Sequence, residues 1–277
     1  MAQQAPHTNR SPAPESGTLS RRDTEKNHWT PETVLSTLPS RPQTDSSSPL
    51  PFFHILERLK TTKREGWRRF SINHGESISD HMYRMSIITM LCPPSLSSRI
   101  DLNRCTLMAL VHDMAEALVG DITPVDGVAK SEKCRRETET MDYLTKSLLG
   151  KVQGGEAGQR IRNIWQEYED NETLEAKFVH DVDKMELLLQ MMEYERAIEA
   201  VDLGEFEYVA GRIELPEVKA WSEELLNERT ALWKSRDVVP TGLLPHDYRK
   251  PWVEIDKRKQ QDEYYGHAKG AENGSAN

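Results

Sequence analysis

The chain has 277 residues, 45 acidic against 36 basic side chains, a net charge of −9 and a mean hydropathy of −0.70. That length holds one large domain or two small ones, and one domain with polar extensions is the expectation. The acidic balance excludes general nucleic-acid binding, which needs a basic surface, and no apolar run approaches the ~20 residues that span a bilayer.

No hydrophobic segment follows the first charges. The three cysteines, Cys92, Cys105 and Cys134, are widely spaced without a Cys-x-x-Cys pair, as expected of reduced thiols. The expected location is therefore inside the cell, with the cytoplasm first and the nucleus second, and neither nucleic acid nor membrane is an expected partner.

Residues 1 to about 50 are rich in Pro, Ser, Thr and Gln and cannot bury enough apolar surface to offset their ordering. A disordered arm over 1–50 is expected, within which Thr30 to Leu35 could form a short helix. At Pro51 the composition shifts: Phe53, Ile55, Leu56 and Leu59 make an amphipathic stripe that opens the folded domain, expected over 51–234. The next segment is basic, with Lys60, Lys63, Arg64, Arg68 and Arg69 around Gly66-Trp67. A charge run is commonly a solvated face. With Trp67 inside it, a second reading is a ring lying against a sugar or base while a nearby cation holds a phosphate.

Ser77-Ile-Ser-Asp80 has the pattern of a capping box and opens a helix carrying His81, Met82, Met85 and Ile88 until Pro93-Pro94. Asp80 either caps or flanks a site. A helix from Asp101 to Gly120 follows, and within it Leu110, Val111 and Met114 place His112-Asp113 beside a packed face. A buried carboxylate costs several kcal/mol unless compensated, so Asp113 needs a cation, a hydrogen-bond network or a metal. Glu116, one turn beyond His112, and Asp121, at the helix exit, are candidates for positioning water or protonating a leaving alcohol.

After a turn at Asp121–Pro124, a helix over 131–149 interleaves Lys130, Lys133, Arg135 and Arg136 with Glu132, Glu137 and Glu139, a pattern of surface pairs. A polar linker is expected at 153–158 and a helix at 159–172 using Ile161, Ile164, Trp165 and Tyr168. The longest helix runs over 174–200, with Phe178, Val182, Met185, Leu189 and Met192 on one face. Asp183 borders that face, and pattern alone leaves Asp181 and Glu186 as alternatives. A last helix spans 217–234, and 235–277 forms a polar, partly disordered tail in which Trp252, Val253 and Ile255 could dock. No segment alternates as a strand does, so the fold expected is all-α.

An isolated His-Asp pair carries little weight, but His81, His112-Asp113 and a late helical acid would bring four ligands from three helices. Two imidazoles and two carboxylates suit a divalent first-row metal, which would activate water and polarise a phosphoryl oxygen. The order His81, His112-Asp113, Asp183, set in Ser79-Asp-His-Met-Tyr-Arg-Met85, Leu110-Val-His-Asp-Met-Ala-Glu116 and Val119-Gly-Asp-Ile122, resembles the H…HD…D signature of the HD-domain metal phosphohydrolases. Within that family it is most similar to the 5′-deoxynucleotidase branch, over roughly 51–234.

The resemblance implies a single HD-type helical domain, a homodimer, and hydrolysis of 2′-deoxynucleoside 5′-monophosphates to deoxynucleoside and phosphate. It implies one divalent metal per chain (Mn, Co, Fe, Zn or Mg) on His81, His112, Asp113 and Asp183. Asp183 is singled out because Lys177 to Lys184 aligns with the family's late helix. Catalytic roles for Glu116 and Asp121 and substrate contact by Trp67 follow in the same way. Bacterial relatives carry an Arg immediately before that Trp, where this chain has Gly66, so Arg64, Arg68, Arg69 and Lys130 are candidates for the phosphate-binding cation. Other readings are a broader phosphohydrolase for small phosphate esters, a degenerate metal-binding module that would have lost a ligand, and a di-iron oxygenase. The oxygenase would need further ligands, and no second His lies near His112.

Overall fold

The structure is a computed structural model that describes residues 28–199 and 201–240. Expectations for residues 1–27, and for the tail from 241 onward with Trp252, Val253 and Ile255, lie outside these. Among the described residues the fold is all-α, as the patterning predicts; the single β-type pairing is an isolated bridge between Lys63 and Ser77. None of the described helices is long and apolar enough to cross a membrane.

The first helices are short: α1 Pro31–Leu35, α2 Leu50–Leu56, α3 Arg58–Thr61 and α4 Glu65–Arg68. They lead into α5 Ile78–Met90, where Ser77 and Asp80 form the capping box expected, so Asp80 is a cap. After α6 Pro94–Ser97 comes α7 Leu102–Val111, capped by Asp101. Thr89 and Thr106 join α5 to α7 through their hydroxyls at 3.0 Å, an apt link at an otherwise apolar seam.

The continuous helix expected from Asp101 to Gly120 is corrected. α7 ends at Val111, and after a turn the chain forms α8 Glu116–Val119. Between them the backbone tightens into i→i+3 bonds, Met114 N–H to Val111 O and Glu116 N–H to Asp113 O, which end the α-helical ladder beside the His-Asp pair. Gly120 follows with φ +77°, a conformation that glycine adopts without strain, and it reverses the chain so that Asp121 comes back to the site.

α9 Lys130–Asp142 continues into a π-helical stretch, Tyr143–Leu148. Gly158 explains how α10 Glu156–Asp170 seats against that stretch: a Cβ there would lie 2.3 Å from Thr145 O. The linker expected at 153–158 is accordingly shorter, a tight turn at Val152–Gly155 with α10 already under way at Glu156. α11 Leu174–Ala197 is central, packed against α5, α7, α10 and the final helix α12 Pro216–Ser235. Phe178, Val179, Val182, Leu188 and Met191 bury it on more than one side, as a helix in the middle of a domain requires. Buried Glu195 ties α12 to it, accepting two hydrogen bonds from Arg229 and one from the Trp233 indole.

The domain begins earlier than residue 51. α1 carries the capping box of Thr30 and Thr33, and Leu35 is 1% exposed in the core. Arg135 donates to Trp29 O at 2.8 Å, and Asp45 N–H reaches Ser147 O at 2.9 Å. Composition misleads here because one well-placed leucine and a few backbone hydrogen bonds suffice to hold a polar segment on a formed surface. Leu35→Ala should cost about 2–5 kcal/mol, the usual range for emptying a buried leucine site. Denaturant titration of the full chain checks this; an unchanged midpoint would show that the segment adds nothing to stability.

Candidate active site

Three elements bring the site together. α5 supplies His81 in its first turn, the end of α7 supplies His112 and Asp113, and the middle of α11 supplies Asp183. His81 Nε2 lies 3.2 Å from Asp183 Oδ1 and 3.8 Å from Asp113 Oδ2, and His112 Nε2 is 3.2 Å from Asp113 Oδ2. Both imidazole Nε2 atoms are buried without hydrogen-bond partners, although carboxylate oxygens stand this close. Unpaired nitrogens pointing among carboxylates are costly unless a cation sits between them. His81, His112 and Asp183 form a group compact enough to hold a metal ion, and Asp113 Oδ2 stands at its edge, near both imidazole Nε2 atoms.

The far side of each side chain is also held. His112 Nδ1–H donates to Ala109 O at 3.0 Å, fixing the tautomer that leaves Nε2 a lone pair. The Tyr168 hydroxyl approaches Asp183 Oδ2 at 3.4 Å, its ring lies 4.9 Å from His112, and its other side stacks on His180 at 3.9 Å. Burial opposes the charged forms of Asp113 and Asp183, yet Arg64 and the imidazoles, which carry positive charge when no metal is bound, outweigh it and hold both well below the usual carboxylate range.

The three acids of α11 have three fates. Asp183 faces the histidines. Asp181 accepts the backbone N–H groups of Glu214 and Leu215 at the entry to α12. Glu186 accepts from His81 Nδ1 at 2.5 Å.

A cavity of about 190 Å³ opens from this cluster, and its charged lining is Arg64, Arg69, Asp113, Glu116, Asp121, Lys133, Asp183, Lys184 and Arg212. Glu116 is 2% exposed and its Oε2 has no partner. Burial, followed by the charges of Asp113 and Asp121, pushes its carboxyl well above the ordinary range, which favours the protonated form. Asp121 is anchored through Oδ2 by the Glu65 backbone N–H at 2.7 Å.

Of the basic candidates, Arg64 enters the site, its Nη1 3.4 Å from Asp113 Oδ2. Burial opposes its charge, but Asp121, Asp113 and Asp183 more than compensate. Arg69 lines the cavity while paired with Glu205 at 2.5 Å. Arg68 is 55% exposed and paired with Glu65, and Lys130 is exposed; neither lines the cavity. Trp67 is part of the wall but only 2% exposed, edge-on to Tyr194, tilted on Phe206, and its indole N–H donates to Glu76 Oε1 at 2.9 Å. That packing leaves no free face for flat stacking on a base.

A further part of the wall carries no motif in the sequence. A 3₁₀ segment, Gly204–Arg212, contributes Phe206, Tyr208, Val209 and Arg212. Two aromatics in an otherwise polar connector were its signal. Lys133, which reads as a surface pair, also lines the cavity, 3.4 Å from Glu137.

Several known proteins are similar to this chain. The 5′-deoxynucleotidase hdd1 of Schizosaccharomyces pombe is 46% identical over 192 residues, covering 69% of this chain and 94% of that protein. The 5′-deoxynucleotidase HDDC2 of Homo sapiens is 38% identical over 199 residues, 71% of this chain and 91% of that one. Among solved structures, the HD domain-containing protein YGK1 superposes with a TM-score of 0.53 at 33% identity, covering 74% of this chain and 99% of that one. Residues 56–219 match the HD domain family itself, and with that match spanning more than half of the sequence, the chain belongs to the HD domain family of metal-dependent hydrolases.

Proposed function

We propose that the protein is a metal-dependent 5′-deoxynucleotidase that hydrolyses 2′-deoxynucleoside 5′-monophosphates to deoxynucleoside and phosphate. The observation that carries it is the convergence of His81 Nε2, His112 Nε2, Asp113 Oδ2 and Asp183 Oδ1 at the end of a cavity that also holds Arg64 and Glu116. The activity named for the relatives supports the substrate.

The four side chains would hold one divalent cation, Mn, Co, Fe, Zn or Mg, and their two nitrogens and two oxygens fit such an ion. Bound there, it would supply Lewis acidity toward the phosphoryl oxygens and would lower the pKa of a water, which becomes the nucleophile once its proton has passed to solvent. Arg64, a permanent cation beside Asp113, binds the phosphate oxygens in the role that Gly66 leaves open, ahead of Arg68 and Lys130, which stand off the cavity. Asp121, fixed by Glu65 N–H, positions the attacking water. As the P–O5′ bond breaks, protonated Glu116 gives its proton to the departing oxygen, and a neutral alcohol leaves. Trp67 borders the sugar, and Phe206 and Tyr208 face the base. A second copy is the expected partner, and three free thiols fit a reducing, intracellular setting.

Phosphate release from matched 2′-deoxy and ribo monophosphates tests the proposal. An apolar wall rejects an added hydroxyl by only about 10², so a deoxy preference near that size is expected, reduced in Trp67→Phe, with kcat/KM lost in Arg64→Met and kept in Arg68→Ala. Equal efficiency on both sugars would reject the deoxynucleotidase and leave a broader phosphohydrolase. No metal-dependent phosphate release from any ester would leave a binding module.

A further inference from the structure

The two imidazoles of the candidate metal site are backed in different ways. His112 gives its Nδ1–H to a neutral backbone oxygen, Ala109 O. His81 gives the corresponding proton to a carboxylate, Glu186 Oε2, at 2.5 Å, and both side chains are fully buried. The second Glu186 oxygen, Oε1, accepts two bonds from Arg84, from Nη2 at 2.6 Å and Nε at 2.9 Å. Arg84 lies one turn beyond His81 on α5. It is gripped along α11 by Glu186, Gln190 and Glu193 at 2.6–2.9 Å, positions that share one helix face.

A carboxylate behind an imidazole fixes which nitrogen carries the proton, locks the ring and strengthens the other nitrogen as a donor. An unpaired carboxylate with no exposure would be costly, and the planar Arg84 fork neutralises it. Glu76, His81 and Glu186 are also compact enough to hold a cation, and Arg84 already supplies positive charge to Glu186 there.

We propose that Glu186, clamped by Arg84, is a positioning residue that keeps His81 Nε2 as the nitrogen presented to the metal and strengthens that bond. The proposal rests on the metal-site reading above but not on the identity of the substrate. The test uses the full chain, stripped with a chelator and titrated with Mn²⁺ or Co²⁺ against a metallochromic indicator. Glu186→Gln should bind metal 10–100-fold more weakly, the effect typical of losing such a partner, while kcat at saturating metal stays close to that of the wild type. Arg84→Met should weaken binding in the same direction, and Arg84→Lys should recover part of it. A merely structural role would lower the Tm of the metal-free protein without moving the metal affinity.

Folded Glu186→Gln that binds metal as tightly as the wild type overturns the proposal. Should that variant not fold, unchanged affinity in Arg84→Met overturns it equally. A wild type that takes up no metal refutes both this proposal and the metal site. A wild type that binds metal yet ignores deoxynucleotides refutes only the substrate, and the affinities still decide the role of Glu186.

Discussion

Purified His112→Ala should contain far less than one metal ion per chain and should hydrolyse no nucleotide above background. The imidazole is 3% exposed, its Nδ1 is committed to Ala109 O, and its Nε2 stands unpaired 3.2 Å from Asp113. Removing it leaves three ligands around a position whose charge balance assumes a cation. Lewis-acid stabilisation is worth several kcal/mol, so kcat/KM should fall on the order of 10³-fold or more. Thermal unfolding gives an independent readout: metal at about 100 times its Kd stabilises the native state by about 2.7 kcal/mol. The wild type should therefore show a Tm shift between chelator and added metal, and His112→Ala should show almost none. Full metal content with normal turnover in this variant would refute the site.

Glu116→Gln should separate chemistry from binding. Glu116 Oε2 is buried without a hydrogen-bond partner, and the side chain lines the cavity. Glutamine keeps the shape and loses the transferable proton. A general acid contributes about 10²–10⁴-fold, so kcat should fall by that much while metal occupancy and Tm stay near wild type. Metal occupancy and kcat measured on one preparation decide it. Parallel loss of both would make Glu116 a support for His112, and an unchanged kcat would remove it from the reaction.

The local chemistry was legible in the sequence because it depends on neighbours along the chain. Ser77 and Asp80 cap α5, Asp101 caps α7, and Ile164, Trp165 and Tyr168 of the α10 stripe are buried as their spacing requires. His112-Asp113 was legible because the pair stands in an apolar stretch, where a carboxylate needs compensation. Composition failed for residues 28–50, where Leu35 is buried by a surface formed from distant parts of the chain.

Tertiary structure alone decided the rest. Asp181, Asp183 and Glu186 lie within two turns of a helix buried on several sides, so periodicity cannot say which neighbour each one meets. Packing places α12's entry against Asp181, the two histidines against Asp183, and Arg84 with His81 Nδ1 against Glu186. Likewise Arg64 and Arg68 are equivalent in a basic run. Only the return of the chain after Gly120, which sets Asp121 and Asp113 around Arg64, makes one of them a buried cation in the cavity and leaves the other in solvent. A side chain's charge belongs to the sequence, but the field it sits in is assembled by residues far along the chain, and that field selects the group that can do chemistry.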